Sequence, residues 1–321
     1  MTAELQWGLP VIAYLYLAGM GAGAFTVSSS VLLRGGGGGF GGRHFKIARY
    51  GAFLAPLPVI VGTGLLILEL GSFEVGNIFR FLNLFLVLNL SPMSIGTWLL
   101  SLFMVTSLVY AYTFWPKDAG PGDNFSMLRT ALAWFGVPLG ISVAVYTGVL
   151  LGAMPARPFW NSPVLPLIFA LSAISAGVAL IILTQAILHQ KSQSAEAHKT
   201  HHESCYLLTA SDLLLIGLEA MAIFLFLLFA NLTVGDVKYA VSVILPGGEM
   251  AWLFWFWVGF VGLVFPAVVE LVYVFPRLLH HREFVTSPGV EIIVPLAVLA
   301  GGFMLRYIVV VAGQITGPVG I

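Results

Sequence analysis

Val11 to Leu33 reads V-I-A-Y-L-Y-L-A-G-M-G-A-G-A-F-T-V-S-S-S-V-L-L, an apolar run with no charged residue. It exceeds the roughly 20 residues that carry an α-helix across the hydrocarbon of a bilayer. Glu4, not a basic region, precedes it, so it reads as a helix that stays in the membrane and not as a cleaved signal peptide. Working outward, seven further segments have the same character, at about 51 to 71, 92 to 114, 128 to 152, 163 to 188, 207 to 231, 250 to 275 and 289 to 314. The expected fold is an all-α integral membrane protein of eight transmembrane helices arranged as two four-helix bundles. It forms a single polytopic domain over 1–321, with halves 1–152 and 153–321. A ninth apolar stretch, Ile78 to Leu90, is too short to cross and reads as an interfacial helix.

Composition agrees with this reading and removes several functions. Of 321 residues, 59% are hydrophobic and 9% charged, against roughly 25% charged in a soluble domain. The net charge is zero, so nothing favours nucleic acid. A single cysteine, Cys205, can form no internal disulfide and cannot hold an iron–sulfur cluster by itself. All seven histidines fall in loops or at the edges of spans, which leaves no axial pair for a haem within the bilayer.

An even number of spans puts both termini on one side. The loops after helices 1, 3, 5 and 7 hold most of the lysine and arginine, among them Arg34, Arg43, Lys46, Arg49, Lys117, Lys191, Lys199, Arg277 and Arg282. The opposite side has only Arg80, Arg157 and Lys238. Basic loops stay inside, so both termini are expected to face outward. Two inner loops are polar: Gly35 to Gly42 lacks the Gly-Lys-Ser/Thr of a phosphate loop, and His189 to Ser204 reads as a solvated linker or, with His198, His201 and His202, a metal site.

Asn89 to Trp98 (N-L-S-P-M-S-I-G-T-W) opens the third span. Ser91 suits the N-cap and Pro92 the first helical position, where a missing N–H costs nothing. Met93, Ser94 and Gly96 leave the backbone open to close approach, so the site is either a plain cap or a docking place for a partner. Helix 1 (Ala18 to Ala24) and helix 5 (Ser172 to Gly177) both carry small-residue runs near the same depth, which favours close helix packing and hints at a parallel repeat.

Ionisable groups inside hydrocarbon are costly, and each is a functional candidate. Glu69 lies near the outer end of helix 2. Asp212 and Glu219 lie in helix 6, Glu270 and Glu291 near the inner ends of helices 7 and 8, and Arg306 in the outer half of helix 8. By depth they form a broken ladder, read either as a proton path or as charge pairing, for instance Arg306 with Glu69 or Glu219. Near the outer face, Tyr14, Tyr16, Glu69, Tyr146 and Gln314 lie at comparable depths. Hydroxyl donors, a carboxylate and aromatic walls are what a quinone head group requires.

These residues meet a family. Gln6 to Pro10 (Q-W-G-L-P), Ser91 to Trp98, Ala156 to Asn161 (A-R-P-F-W-N), Leu305-Arg306-Tyr307 and Gly313-Gln314 together resemble the NrfD/PsrC family, over essentially all eight spans. The resemblance implies a haem-free membrane subunit that binds a quinone (menaquinone or ubiquinone) in the cytoplasmic membrane of a bacterium or archaeon. It implies a four-cluster ferredoxin-like iron–sulfur partner on the outer face, itself joined to a molybdopterin catalytic subunit. Tyr146 and Glu69 match positions that serve the quinone in the family. Relatives also direct a histidine and an asparagine from the first helix; helix 1 here has neither, and Tyr14 or Tyr16 stands in their place. Docking of the iron–sulfur partner is expected on Ser91, Pro92, Met93, Ser94, Arg157, Trp160 and the 232 to 249 loop. The rival readings are a secondary transporter, favoured by the repeat and the mid-depth Glu219, and a structural anchor that binds no quinone.

Overall fold

In the computed structural model the described residues are 7–35, 44–70, 91–115, 125–189, 195–233, 235–280 and 286–317. They contain helix and no strand. Eight helices are long and apolar enough to cross a membrane: α1 (Leu9–Arg34), α2 (Phe45–Glu69), α3 (Pro92–Thr113), α4 (Ser126–Gly152), α5 (Leu165–Leu188), α6 (His202–Leu232), α7 (Ala251–Leu279) and α8 (Val290–Ile315). This is a multi-pass membrane protein. The expected interfacial helix Ile78–Leu90 and most of the glycine loop lie outside the described residues.

Two boundaries differ from the expected ones. Helix α2 begins at Phe45, six residues before the apolar run, because Ile47, Ala48, Gly51 and Ala52 form a buried stripe against α1. It is jointed at Ala55, where Pro56 and Pro58 remove two N–H donors from the ladder. Helix α6 continues N-terminally as far as Ala195, so much of the expected His189 to Ser204 linker is helical. The segment A-E-A-H-K-T-H-H is built of residues that tolerate a helix, and the apolar span that follows supplies the nucleus. Side chains of His198 and His201 lie outside the described ones.

Helix α1 is the centre of the molecule. It packs along α2, α4 and α5 and also touches α8, while α5 meets α4, α6 and α8, and α7 meets α6 and α8. One cluster of buried apolar residues runs from Val11 through Phe103, Phe169 and Phe254 to Ala312, so both halves share a core. The small-residue runs of α1 and α5 do pack on each other. A Cβ at Gly23 would run into the Ala173 carbonyl oxygen, and one at Gly177 into the Ala24 nitrogen. The same device joins α7 to α8, where a Cβ at Gly301 would collide with the Gly262 Cα. Around Gly262 the α7 backbone widens into a π-helix over Phe254–Val264, a feature no residue pattern announced.

We call the end of the bundle that carries Trp7, Ser91 and Trp160 the upper end, and the end that carries Arg34, Arg129 and Arg277 the lower end.

Candidate functional site

Three separated sequence segments converge at the upper end. The Gln314 amide accepts from the Trp7 N–H at 2.9 Å and donates to the Trp7 carbonyl at 3.1 Å, which clamps the start of α1 to the end of α8. Trp7 stacks on Trp160 with ring centroids 5.4 Å apart. The Trp160 indole N–H donates to the Val309 carbonyl at 2.7 Å. Arg157 donates to the Gln314 carbonyl at 2.8 Å. A Cβ at Gly313 would overlap the Trp160 indole nitrogen, so glycine is required for the ring to seat there. Gln314 thus has its amide engaged with the backbone of Trp7 and Val310. Trp160, only 2% exposed, and Arg157, tied to α8, order the upper end.

Beneath the clamp lie two phenols and a carboxylate. Tyr146 on α4 reaches across to the start of α3, where a Cβ at Gly96 would overlap its hydroxyl. Ser91 caps α3 by accepting from the Ser94 N–H at 3.3 Å, with Pro92 in the first turn, as the sequence implied. The open glycine of that stretch therefore receives Tyr146 from within the protein. Tyr14, fully buried on α1, interacts electrostatically with Tyr146. Glu69, half-buried at the end of α2, brings a carboxylate oxygen to 3.5 Å from a Cβ placed at Gly8, beside the N-terminus of α1. The positive end of that helix dipole favours a negative charge there. Pro92 and Met93 remain exposed on the same end, as do Asn161 and, across the 232 to 249 loop, Tyr239 and Glu249.

Tyr16 does not join this group. Two residues along a helix turn the side chain by roughly 200°, and Tyr16 faces α8, where its hydroxyl donates to the Leu299 carbonyl at 2.9 Å. There it meets Arg306, whose guanidinium carbon lies 5.5 Å from the Tyr16 ring and 5.1 Å from that of Phe169. Arg306 is fully buried. It donates to Ser172 Oγ at 2.9 Å, to the Gly302 carbonyl at 2.9 Å and to the Phe169 carbonyl at 3.2 Å. Its carboxylate neighbour is Glu219, with which it interacts electrostatically. Of the two partners weighed for Arg306, the structure selects Glu219, and no contact ties Arg306 to Glu69 among the described residues.

From Glu219 the ladder continues downward. Ser172, on α5, which accepts from Arg306, stands with Glu219 in the wall of one small cavity, so the hydroxyl lies between the arginine and the carboxylate. Ser175, about one turn on, donates to Asp212 at 2.6 Å. Asp212 interacts electrostatically with both Glu219 and Glu270. Glu270 shares a small cavity with Glu291, Cys205, Thr209 and Thr286 at the lower end. Sequence reasoning found every carboxylate of the ladder but read Ser172 and Ser175 only as small packing residues. Their hydroxyls are the signal that was passed over.

The family model described as polysulphide reductase, NrfD, matches residues 1–318. The chain belongs to the NrfD family. Among named members it is similar to the C component of the polysulfide reductase of Wolinella succinogenes, 30% identical over 96% of this protein and 94% of the relative. Protein NrfD of Escherichia coli is 29% identical over 98% and 96%. The C component of the selenate reductase of Mesobacillus selenatarsenatis is 23% identical over 85% and 67%. Of the motifs that carry the resemblance, those around Trp7, Arg157 to Trp160 and Gly313-Gln314 meet in the clamp at the upper end.

Proposed function

We propose that this NrfD-family protein is the haem-free, quinone-reactive membrane anchor of a respiratory oxidoreductase complex. The relatives named as components of polysulfide and selenate reductases support a complex with a separate catalytic subunit, read here as a molybdopterin protein joined through a ferredoxin-like iron–sulfur subunit. The observation that carries the quinone reading is the Tyr146 hydroxyl seated against Gly96 at the start of α3, with the Tyr14 phenol buried in the same core cluster and the Glu69 carboxylate beside the start of α1. That donor set fits a quinone, whose two carbonyl oxygens accept hydrogen bonds and whose reduction takes up two electrons and two protons.

In this reading the Tyr146 hydroxyl donates to one carbonyl oxygen and Tyr14 lines the slot beside it. Glu69, beside the start of α1, receives or supplies the proton. The iron–sulfur partner docks on the exposed part of the upper end, at Pro92, Met93, Asn161 and the 232 to 249 loop. Replacing Tyr146 by Phe is expected to lower quinone-linked turnover at least tenfold while the complex still assembles. Unchanged turnover would remove Tyr146 from the role and favour an anchor that binds no quinone.

A second reading concerns protons. Glu291, Glu270, Asp212 and Glu219 follow one another from the lower end to Arg306 inside α5 to α8, joined by Ser175 and Ser172. A buried series of this kind is what a route for protons from the lower side requires, and it ends beside α1.

A further inference from the structure

The ladder contains two carboxylate oxygens that nothing satisfies. Asp212 Oδ2 and Glu270 Oε2 are both buried and accept no hydrogen bond among the described residues. The two residues are 1% and 3% exposed and stand at one level of α6 and α7, bracketed by Cys205 packed with Val274 below and by Ile216 clustered with Ala267 above. Around Asp212 the facing groups are Ser175 from α5, Glu219 from its own helix and Glu270 from α7. Around Glu270 they are Cys205 and Thr209 from α6, Tyr273 from α7, and Thr286 and Glu291 at α8. The cation of the ladder, Arg306, is engaged with Glu219 one step higher. Two carboxylates at one level in apolar surroundings repel each other and each lose their hydration, and a proton held between them relieves both costs.

The surroundings are divided in a useful way. Glu270 lines the lower cavity, whereas Ser175, the donor to Asp212, lines a second cavity together with Ser172, Glu219 and Gly262 of the π-helical stretch of α7. Each cavity has room for about one water molecule and has polar groups in its wall. The pair therefore stands between two places where water can sit.

We propose that Asp212 and Glu270 together hold one proton, the acid of one donating to the carboxylate of the other, as a proton-loading site between the lower and upper cavities. The inference rests on the route from the lower side described above and names its storage step. A proton arrives from water in the lower cavity at Glu270, while the proton already held leaves from Asp212 through the Ser175 hydroxyl toward Glu219. The charge of the pair stays at minus one before and after.

Dicyclohexylcarbodiimide tests this on the purified complex. Only a protonated carboxyl adds across its C=N bond, and the resulting acylurea stays on the residue. At neutral pH, mass spectrometry is expected to find at most one label per polypeptide on the Asp212–Glu270 pair, declining as the pH is raised. In Glu270→Gln, Asp212 gains an amide donor and loses its repelling neighbour, so its labelling should disappear. Because the reagent must reach the pair, difference infrared spectroscopy is the second reading: a protonated carboxylic C=O band that Asp212→Asn removes. Absence of both label and band, two labels on one polypeptide, or protection by sodium ions would each overturn the proposal, the last by making the pair a sodium site. A Tyr146→Phe complex should label as the native one does, which separates this result from the fate of the quinone reading.

Discussion

At the scale of single residues, the sharpest contact is between Gly96 and Tyr146. A methyl group on Gly96 would overlap the Tyr146 hydroxyl, yet that hydroxyl is the far end of a side chain that can swing aside. Gly96→Ala is therefore expected to leave the fold intact and to displace the phenol. Quinone-linked turnover should fall about as far as in Tyr146→Phe, with normal membrane accumulation, since a misplaced catalytic group typically costs about 100-fold. Arg306 gives the opposite case. It is fully buried, with Glu219 the nearby carboxylate on α6, so Arg306→Met takes the neighbouring cation from a buried acid and should lower stability clearly. The double variant Arg306→Met, Glu219→Gln removes both charges and should recover most of that loss. Thermal unfolding in detergent reads both; equal instability of the single and double variants would mean that the hydrogen bonds to Ser172, Gly302 and Phe169, not the charge, are what Arg306 contributes.

At the scale of elements, the α1–α5 seam carries the fold. Without a hydrophobic drive between helices in lipid, association depends on close packing, and Gly23 and Gly177 bring backbone against backbone. Gly177→Val cannot be absorbed by a side-chain movement, because its neighbours are main-chain atoms of Gly23 and Ala24. It should abolish accumulation of folded protein, whereas the same change at Gly217, which has nothing within 4 Å, should be tolerated. The seam was legible as two runs of small residues, and the spans as apolar runs, because both are properties of composition along the sequence. The joint at Ala55 and the N-terminal extension of α6 were not, since they depend on what each helix packs against. The π-helix of α7 contains Gly262, which packs on Gly301, a pairing of residues on different helices that no local pattern encodes. The candidate site shows the same division. Depth grouped Tyr14, Tyr16, Glu69, Tyr146 and Gln314, but the direction of each side chain is set by how its helix is rotated against its neighbours, which is why the Tyr16 hydroxyl bonds α8 and the Gln314 amide the start of α1.

At the scale of the whole molecule, the two functional regions occupy different halves. The phenols and Glu69 belong to α1, α2 and α4; the carboxylate ladder belongs to α5 through α8, and its top, Arg306, meets α1 at Tyr16 and Gly19. From Glu291 to Arg306 the ladder follows α8 for roughly 22 Å at the rise of an ordinary helix, most of the roughly 30 Å of hydrocarbon. A proton drawn up this route to reduce quinone at the upper end crosses most of the membrane's electric field. Moving one charge through 100 mV takes about 2.3 kcal/mol, so turnover in the quinone-reducing direction should slow when the upper side of a sealed proteoliposome is made positive and recover when an ionophore collapses the potential. Glu270→Gln should remove that dependence, leaving a turnover indifferent to potential and lower than that of the native complex. If the native complex is itself indifferent to potential, the protons come from the upper side through Glu69, and the ladder serves to hold Arg306 and the second half of the molecule together.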